Sequence, residues 1–393
     1  MKFGDTLKPL RVYSRQMEIS EYPYPGSILQ LSRKSLRQER SKPELRSITM
    51  HHRLREPENP YSEKIREFDK RIRLANESQG EQLTGTEVKE YKKLLNEARL
   101  HELKRHDVIL CTCTAASTPN LTKSVSARQI LIDECAMATE PQALVPLVSF
   151  KPEKIVLLGD HKQLRPIVNC LFARNLGLSK SLFERYMDRA VMLDTQYRMH
   201  EDICEFPSKE SYDGRLKTGV HRDKSVLMTS NKNRHIVFGH VTGLEVSLMV
   251  TTEKGNENSK ANREESEIAV RIAVSLVREA NIRPEEIAIL SPYNAQVSEI
   301  RNLVKKKNET GITVTTITKS QGSEWRYVIL STVRSCPTAE IEINVGITRA
   351  QEGLCIIGNQ ELLNCSPAWK HLLSHYTSRN CVTMATDITV RKM

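Results

Sequence analysis

Short apolar runs of about four residues recur along most of the chain, and helix-like stretches lie between them. A short apolar run that is followed by small or polar residues is typical of a strand buried on both faces. Alternation of such strands with helices predicts a parallel sheet in an α/β fold. The runs occupy residues 108–111, 130–132, 155–158, 235–238, 287–290, 314–317, 327–330 and 354–357.

The distribution of these runs predicts two α/β domains, each with a parallel sheet. We expect the first over residues 1–194, a connecting segment over 195–234, the second over 235–380 and a loose tail over 381–393. A very polar stretch, about 31–106, interrupts the first domain and is rich in Lys, Arg and Glu. We interpret it as a charged helical insertion.

Apolar spacing predicts helices in three places. A helix over 264–279 would present Ile268, Ile272 and Leu276 on one face. The insertion shows the same spacing twice, first at Ile65, Phe68 and Ile72, and then at Tyr91, Leu94, Leu95 and Ala98.

Composition narrows the class of protein. The formal net charge is +11, which favours an anionic polymer as partner. Nine cysteines are irregularly spaced with no C-x-x-C pair, so we expect reduced thiols and no zinc site of common spacing. No apolar run of 18 residues and no apolar signal core occur, so we expect an intracellular protein, cytoplasmic or nuclear, without a membrane partner.

An acidic pair, Asp133 and Glu134, directly follows the apolar run 130–132. Ligands of open parallel sheets bind at the carboxyl ends of the strands, so this pair is placed to meet one. One carboxylate can hold magnesium through water, and the other can orient or deprotonate an attacking water. A solvated strand end is the alternative, and the pair by itself does not exclude it.

Four further blocks of polar residues follow later apolar runs. Gln163 can hydrogen-bond a γ-phosphate or the attacking water, and Arg198 follows an aromatic residue that can stack on a base. Residues 320–324 follow another strand, and Arg349 is expected near the start of a helix.

These blocks, in this order, resemble motifs II to VI of superfamily 1 helicases. They are most similar to the branch that includes the nonsense-mediated-decay helicase and Senataxin, and the resemblance covers roughly residues 8–375. It implies two RecA-like, parallel-sheet domains of the P-loop NTPase type, of which the first is incomplete and carries the helical insertion. It also implies an ATP-dependent helicase or translocase with ATP and Mg²⁺ as cofactors. It also implies single-stranded RNA or DNA as partner, together with transcription or RNA-decay proteins.

The resemblance implies a catalytic role for five positions. Asp133 would bind magnesium, Glu134 would be the catalytic base and Gln163 would sense the γ-phosphate. Arg198 and Arg349 would be arginine fingers, which can accelerate phosphoryl transfer by roughly 10³–10⁵. All five should converge on one cleft.

The same resemblance implies nucleotide contacts from Tyr197, which would stack on adenine, and from Gly322 and Glu324, the latter at the sugar. Hydroxyl groups and rings suit a single strand that is held by its backbone. The candidates for nucleic-acid contact are Thr112, Thr114, Pro292, Tyr293, Thr316 and Ser320. Each of these could instead be a helix cap or a turn residue.

The sequence departs from the family in two places. It contains no G-x-x-x-x-G-K-[ST] loop, which the family places upstream of the strand that here contains Val12. We interpret the chain as a fragment or truncated product that lacks the phosphate loop and an interior strand, and a genuine short isoform is the alternative. The segment 336–343 before Arg349 is shorter than in relatives, which makes the placement of this arginine less certain.

Three functions are therefore open. The first is an ATP-dependent nucleic-acid helicase or translocase, and the second is a catalytically inactive nucleic-acid-binding or transcriptional coactivator module. The third, another two-domain nucleotide-binding enzyme, is disfavoured by the blocks around Tyr197 and Arg349.

Overall fold

The computed structural model divides into two compact units. Unit 1 comprises residues 1–160 and 165–186, and unit 2 comprises 161–164 and 187–393. The expected connecting segment thus belongs to unit 2, and so does the short stretch around Gln163. The described residues are 7–22, 24–25, 41–77, 80–222, 225–230, 232–252, 255–334 and 343–392.

Unit 1 contains two separate parallel pairs of strands. One pair joins β1 (Pro9–Arg11) to β2 (Val108–Leu110), and the other joins β3 (Gln129–Ile132) to β4 (Lys154–Leu157). Three of the four strands, β2, β3 and β4, coincide with predicted apolar runs, and both pairs are parallel, so the parallel-strand prediction is confirmed.

The helices of unit 1 include the two that were predicted within the insertion. They are α3 (Ser62–Asn76) and α4 (Gly85–Arg105), and α4 begins with a capping box between Thr84 and Glu87. Shorter helices complete the unit: α1 (Arg15–Glu21), α2 (Met50–Arg53), α5 (Cys113–Ala116), α6 (Pro119–Thr122), α7 (Glu140–Phe150), α8 (Leu171–Asn175) and α9 (Leu182–Arg185).

The apolar faces of α3 and α4 pack together with Leu10 of β1 and with Met50 of α2. The insertion therefore shares a buried core with β1 and other parts of unit 1, although many of its residues are charged. The buried side chains from the two long helices are Ile65, Phe68, Ile72, Tyr91, Leu94, Leu95, Ala98 and Leu103.

Unit 2 is built around a six-stranded sheet in which every pair of neighbours is parallel. Its order is β13-β12-β14-β15-β9-β16. The strands are β9 (Ile236–His240), β12 (Ile287–Ser291), β13 (Thr313–Thr316), β14 (Trp325–Ser331), β15 (Ala350–Gly358) and β16 (Val382–Met384). The α/β fold class is thus confirmed.

Helices cover this sheet, and the largest apolar face belongs to α11 (Arg263–Arg278), close to the predicted helix 264–279. The others are α10 (Glu201–Ser211), α12 (Asn294–Lys306), α13 (Ile343–Ile347), α14 (Gln360–Leu363) and α15 (Pro367–Ser378). Smaller strands are β5 (Thr195–Gln196), β6 (Lys217–Thr218), β7 (Leu227–Thr229), β8 (Lys232–Asn233), β10 (Val246–Thr252), β11 (Gly255–Ala261) and β17 (Thr389–Val390).

The expectation of a loose tail from residue 381 is wrong. β16 pairs with β9 in the central sheet, and β17 pairs with β7. Ala385 and Ile388 are fully buried in the core, because the turn between these strands closes one side of the sheet. Local apolar spacing is too short here to reveal such long-range pairing.

Three other sequence expectations concern single features. The eight cysteines in the described part of the chain are all free thiols. Across the described ranges, no helix combines the length and the apolar character that crossing a membrane would need. Of the shortened segment 336–343, residues 336–342 lie outside the described residues, so its effect on Arg349 is not visible.

Candidate active site

Arg349 is buried, with only 2% of its surface exposed, and a set of oxygen acceptors surrounds its guanidinium group. Its Nη2 donates to Gln163 Oε1 at 2.7 Å and to Thr348 Oγ1 at 3.1 Å. Its Nε donates to the Val345 carbonyl oxygen at 3.0 Å, and Nη1 is 3.5 Å from that of Ser323. The guanidinium is thus held in a fixed orientation against Gln163.

The expected position of Arg349 near the start of a helix is wrong. It follows the end of α13 and directly precedes β15. The helix ends early because Thr348 and Arg349 both hydrogen-bond back to it, through Thr348 Oγ1 to Asn344 and Arg349 Nε to Val345. The side chain therefore lies at the entrance to a central strand.

Arg198 is half-buried and lies close to the same turn. Its Nε donates to Glu324 Oε2 at 2.6 Å, and its Nη1 donates to the Thr348 carbonyl oxygen at 3.1 Å. Arg349 contacts the hydroxyl group of the same Thr348. Arg198 and Arg349, the two arginines that were selected from the sequence, therefore both contact Thr348 within unit 2.

Glu324 and Gly322 lie on the loop between the 3₁₀ helix Thr318–Ser320 and β14. The hydrogen bond from Arg198 lowers the pKa of the Glu324 carboxyl, and Gln351 Nε2 also donates to it, at 2.8 Å. Gly322 has a φ of +72°, a left-handed conformation that favours glycine. The loop thus holds an ionised carboxylate beside Arg198.

Tyr197 is 68% exposed, so its ring is accessible for stacking. A Cβ atom on Gly219 would lie 2.6 Å from this ring and 2.7 Å from the Thr195 side chain, so only glycine permits the close approach. Arg222 donates to the carbonyl oxygens of Tyr197 and Arg198, at 3.0 and 2.9 Å. Sequence reasoning missed Arg222, because no motif marks it and its contacts arise only from the tertiary fold.

The acidic pair lies in unit 1, where it directly follows β3. Both side chains are exposed, Asp133 Oδ1 accepts the Glu134 backbone N–H at 3.0 Å, and Glu134 has a φ of 51°. Gly159 permits the loop after β4 to approach, since its Cβ would lie 2.9 Å from the Ala136 nitrogen. Convergence of this pair with the residues of unit 2 stays a prediction.

The nucleic-acid candidates of unit 1, Thr112 and Thr114, are exposed at the start of α5. Thr112 is the N-cap of α5, and its Oγ1 accepts the Ala115 N–H at 3.2 Å. Thr114 is exposed within the first turn of that helix. Capping occupies one lone pair of the Thr112 hydroxyl, and the group can still donate to a phosphate.

The candidates of unit 2 differ in accessibility. Pro292 and Tyr293 are half-buried between β12 and α12, and the Tyr293 hydroxyl accepts a hydrogen bond from Arg334 at 3.2 Å. Thr316 is 8% exposed and Ser320 is fully buried.

The Ser320 hydroxyl donates to the Ile317 carbonyl oxygen at 2.6 Å, so it caps a turn in this conformation. Thr316 Oγ1 likewise accepts the Lys319 N–H at 3.3 Å. The phosphate contacts expected from these two hydroxyls are therefore not available on the surface described here.

Protein-family models match nearly the whole chain. Two models, each described as an AAA domain, match residues 3–170 and 178–361. With these two matches and the relatives described next, the chain belongs to the AAA-type superfamily 1 helicases.

Similar proteins show to which helicases within this family the chain is related. The chain is 50% identical over 410 residues to human 3'-5' exoribonuclease HELZ2, covering 98% of this chain and 14% of that protein. It is 34% identical over 339 residues to a regulator of nonsense transcripts 1 homolog from Neurospora crassa, covering 81% and 30%. It is 32% identical over 327 residues to ATP-dependent helicase NAM7 of Saccharomyces cerevisiae, covering 78% and 32%.

The chain therefore spans a third or less of the length of these relatives. Among solved structures, the PRRSV helicase resembles it at 18% identity with a TM-score of 0.32, over 65% of this chain and 38% of that one. That likeness is too partial to carry an argument.

Proposed function

We propose that this chain carries the hydrolysis-triggering part of an ATP-dependent motor that moves along single-stranded RNA or DNA. The contact between Arg349 and Gln163, 2.7 Å long, is the observation that supports this most directly. It joins a fixed positive charge to the amide side chain that could orient a water or a γ-phosphate. Phosphoryl transfer depends on such positioned groups more than on covalent chemistry.

The remaining site residues support complementary roles. Arg198 carries a second positive charge to the same turn, and exposed Tyr197 offers a ring on which adenine could stack. Asp133 presents an exposed carboxylate, the ligand type that magnesium prefers, so it fits the Mg²⁺ that accompanies ATP. Glu134 would be the base that accepts a proton from the attacking water.

The sequence contains fewer recognisable residues for phosphate binding than for any other step of ATP hydrolysis. A triphosphate needs a cradle of backbone N–H groups with a lysine, and the 393 residues contain no G-x-x-x-x-G-K-[ST] loop. We therefore expect the chain by itself to bind ATP weakly and to hydrolyse it near the background rate.

An ATPase assay in the presence of single-stranded nucleic acid tests this proposal. It compares the 393-residue chain with a version extended by the phosphate-loop segment of a relative. The extended chain should turn over ATP, and Glu134→Gln in it should abolish turnover while ATP binding persists, because only the base is removed. Robust turnover by the short chain would contradict the argument, since phosphate would then be held by other residues.

A binding module without hydrolysis is the second candidate, and the net charge of +11 favours it. Attraction to a polyanion requires no phosphate loop. If about five phosphates are contacted, affinity for a single strand should fall by roughly 100-fold between about 50 and about 200 mM salt. Fluorescence anisotropy with a labelled oligonucleotide measures this, and an affinity that is flat over that range would exclude backbone recognition.

A further inference from the structure

Three metal-ligating side chains meet in unit 1, apart from every residue of the candidate active site. Glu21 ends α1, and His51 and His52 lie in α2. Oε2 of Glu21 is 2.9 Å from Nε2 of His51 and 2.6 Å from Nε2 of His52. One donor atom from each residue lies within 4.8 Å of the others, so a single ion could contact all three.

We propose that Glu21, His51 and His52 form a binding site for a divalent transition-metal ion, with Zn²⁺ as the expected ion. Two imidazole nitrogens and one carboxylate oxygen are a donor set that suits zinc, whereas magnesium and calcium prefer oxygen alone. Zinc–ligand bonds of about 2.0–2.2 Å place tetrahedral ligands about 3.3 Å apart. The distances from Glu21 Oε2 to the two imidazole nitrogens, 2.9 and 2.6 Å, would lengthen by about 0.4 and about 0.7 Å to admit the ion.

The donor groups themselves, two imidazoles and a carboxylate, suit a divalent cation. Burial lowers the pKa values of His51 and His52, although their contacts with Glu21 oppose this shift. Burial opposes ionisation of Glu21, but hydrogen bonds from Ser41 and His51 lower its pKa to about 2.

The Ser41 backbone N–H and hydroxyl both bond to Glu21 Oε1, the latter at 2.8 Å. The hydroxyl is also 3.0 Å from Oε2, the oxygen that contacts the two imidazoles, so Ser41 holds the whole carboxylate in place. The Ser41 hydroxyl is also 3.0 Å from His52 Nε2. Since a neutral hydroxyl is not among the usual zinc ligands, we assign the fourth position to water.

The second ring nitrogens decide whether each imidazole can turn Nε2 toward a metal. Nδ1 of His52 is 3.1 Å from the Tyr22 hydroxyl, and Arg55 lies over the Tyr22 ring, 3.5 Å from its centroid. With a metal on Nε2, the Nδ1–H of His52 would donate to this hydroxyl, as ligand histidines commonly do. The tyrosine thereby orients the ring.

His51 is only 1% exposed, and within the described part of the chain its Nδ1 is buried without a hydrogen-bond partner. Without an ion, Nε2–H of His51 donates to Glu21 Oε2 at 2.9 Å, so binding of a metal at Nε2 requires this proton to be lost or to move to the unpartnered Nδ1. A cavity of about 490 Å³ lies beside this ring and is also lined by Glu18, Tyr22 and Arg55.

A hydrogen-bonded cluster without an ion is the competing explanation. In that state Glu21 Oε2 accepts an N–H from each imidazole, and the three residues simply tie α1 to α2. The two explanations differ in a measurable way, because only the first predicts stoichiometric metal binding that both imidazoles and the carboxylate require.

The test uses the full chain after it is stripped with EDTA. Titration with Co²⁺ should produce the visible absorption of a tetrahedral Co²⁺ site, saturate at a single ion per chain, and be reversed by Zn²⁺. Zn²⁺ should also raise the melting temperature in a concentration-dependent manner, since it binds the folded state. Absence of both effects would overturn the proposal.

Variants locate the ion. Glu21→Gln and His52→Asn should each weaken Co²⁺ binding by at least tenfold, and circular dichroism of the apo forms shows whether they fold. His200→Asn is the matched control, because His200, Asp202 and His235 are another group whose donor atoms lie close together, in unit 2. If His200→Asn alone removes binding, or if both Glu21→Gln and His52→Asn retain it, the site is wrongly assigned.

Discussion

The strands of the two units are similar in sequence and very different in burial. In β12 of unit 2 all five residues are buried, whereas in β4 of unit 1 three of four are exposed and the fourth is half-buried. The difference follows from pairing: β12 lies inside a six-stranded sheet, and β4 belongs to a pair. Apolar strands thus become a core only when enough neighbours pair with them and helices cover both faces.

Exposed apolar residues of unit 1 show the same contrast. Leu131, Ile155 and Val156 on β3 and β4 are between 43% and 62% exposed. The side chains of Ile289, Val328 and Ile356 in the unit 2 sheet are fully buried or nearly so. We therefore expect unit 2 to provide most of the stability that the sheets contribute.

A matched pair of substitutions tests whether the two sheets differ in packing, and its expected effect on the free energy of unfolding is the largest. Ile289→Ala should destabilise unit 2 by about 3–4 kcal/mol, since it leaves a cavity in a closed core. Ile155→Ala, at a residue that is 49% exposed, should cost less than about 1 kcal/mol. Denaturant unfolding, monitored by hydrogen exchange in each sheet, measures the loss of unfolding free energy in both variants. Equal losses would show that the two sheets are packed alike.

A smaller effect is expected at Glu265, which is completely buried in α11. Burial raises the pKa of this carboxyl to about 8, although it accepts hydrogen bonds from Ser331 Oγ at 2.6 Å and Val333 N–H at 2.8 Å. Because the folded-state pKa lies above the unfolded value, the proton stabilises the fold at low pH. This contribution is lost as the pH rises through about 8.

The stability of unit 2 should therefore fall by about 3 kcal/mol between about pH 5 and about pH 8 through this one group. Glu265→Gln should remove that part of the pH dependence. Glu264→Gln, at the exposed neighbour, is the control and should retain it. Unfolding measured across this pH range by urea titration decides the matter, and identical profiles for all three proteins would refute the assignment.

The sequence predicted those parts of the fold that depend on local pattern. The helix α11 and every strand of the central sheet except β16 coincide with apolar runs or apolar spacing. β16 was missed because its pairing with β9 joins segments far apart in the chain. The position of Arg349 was wrong for a related reason, since α13 ends through side-chain bonds that spacing does not reveal.

For the candidate site, the sequence predicted which residues belong to it, but it did not predict how deeply they are buried or which neighbours they contact. Gln163, Arg198 and Arg349 were selected from their motifs. Within unit 2, Arg349 contacts Gln163, and Arg198 contacts the neighbouring Thr348. The burial of Ser320 and the contacts of Arg222 depend on tertiary packing. No local feature of the sequence could have revealed them.

We propose that Arg198 and Arg349 act on a nucleotide during hydrolysis. The most direct measurement is the ATP turnover of the chain extended by a phosphate-loop segment, in the presence of single-stranded nucleic acid. Arg198→Ala and Arg349→Lys should each lower kcat by roughly 10³-fold with little change in ATP affinity, because both groups would stabilise the transition state. Arg189→Ala, at an exposed arginine of the same unit, should leave turnover unchanged. If Arg198→Ala and Arg349→Lys hydrolyse ATP as fast as Arg189→Ala does, these arginines are structural and the account is wrong.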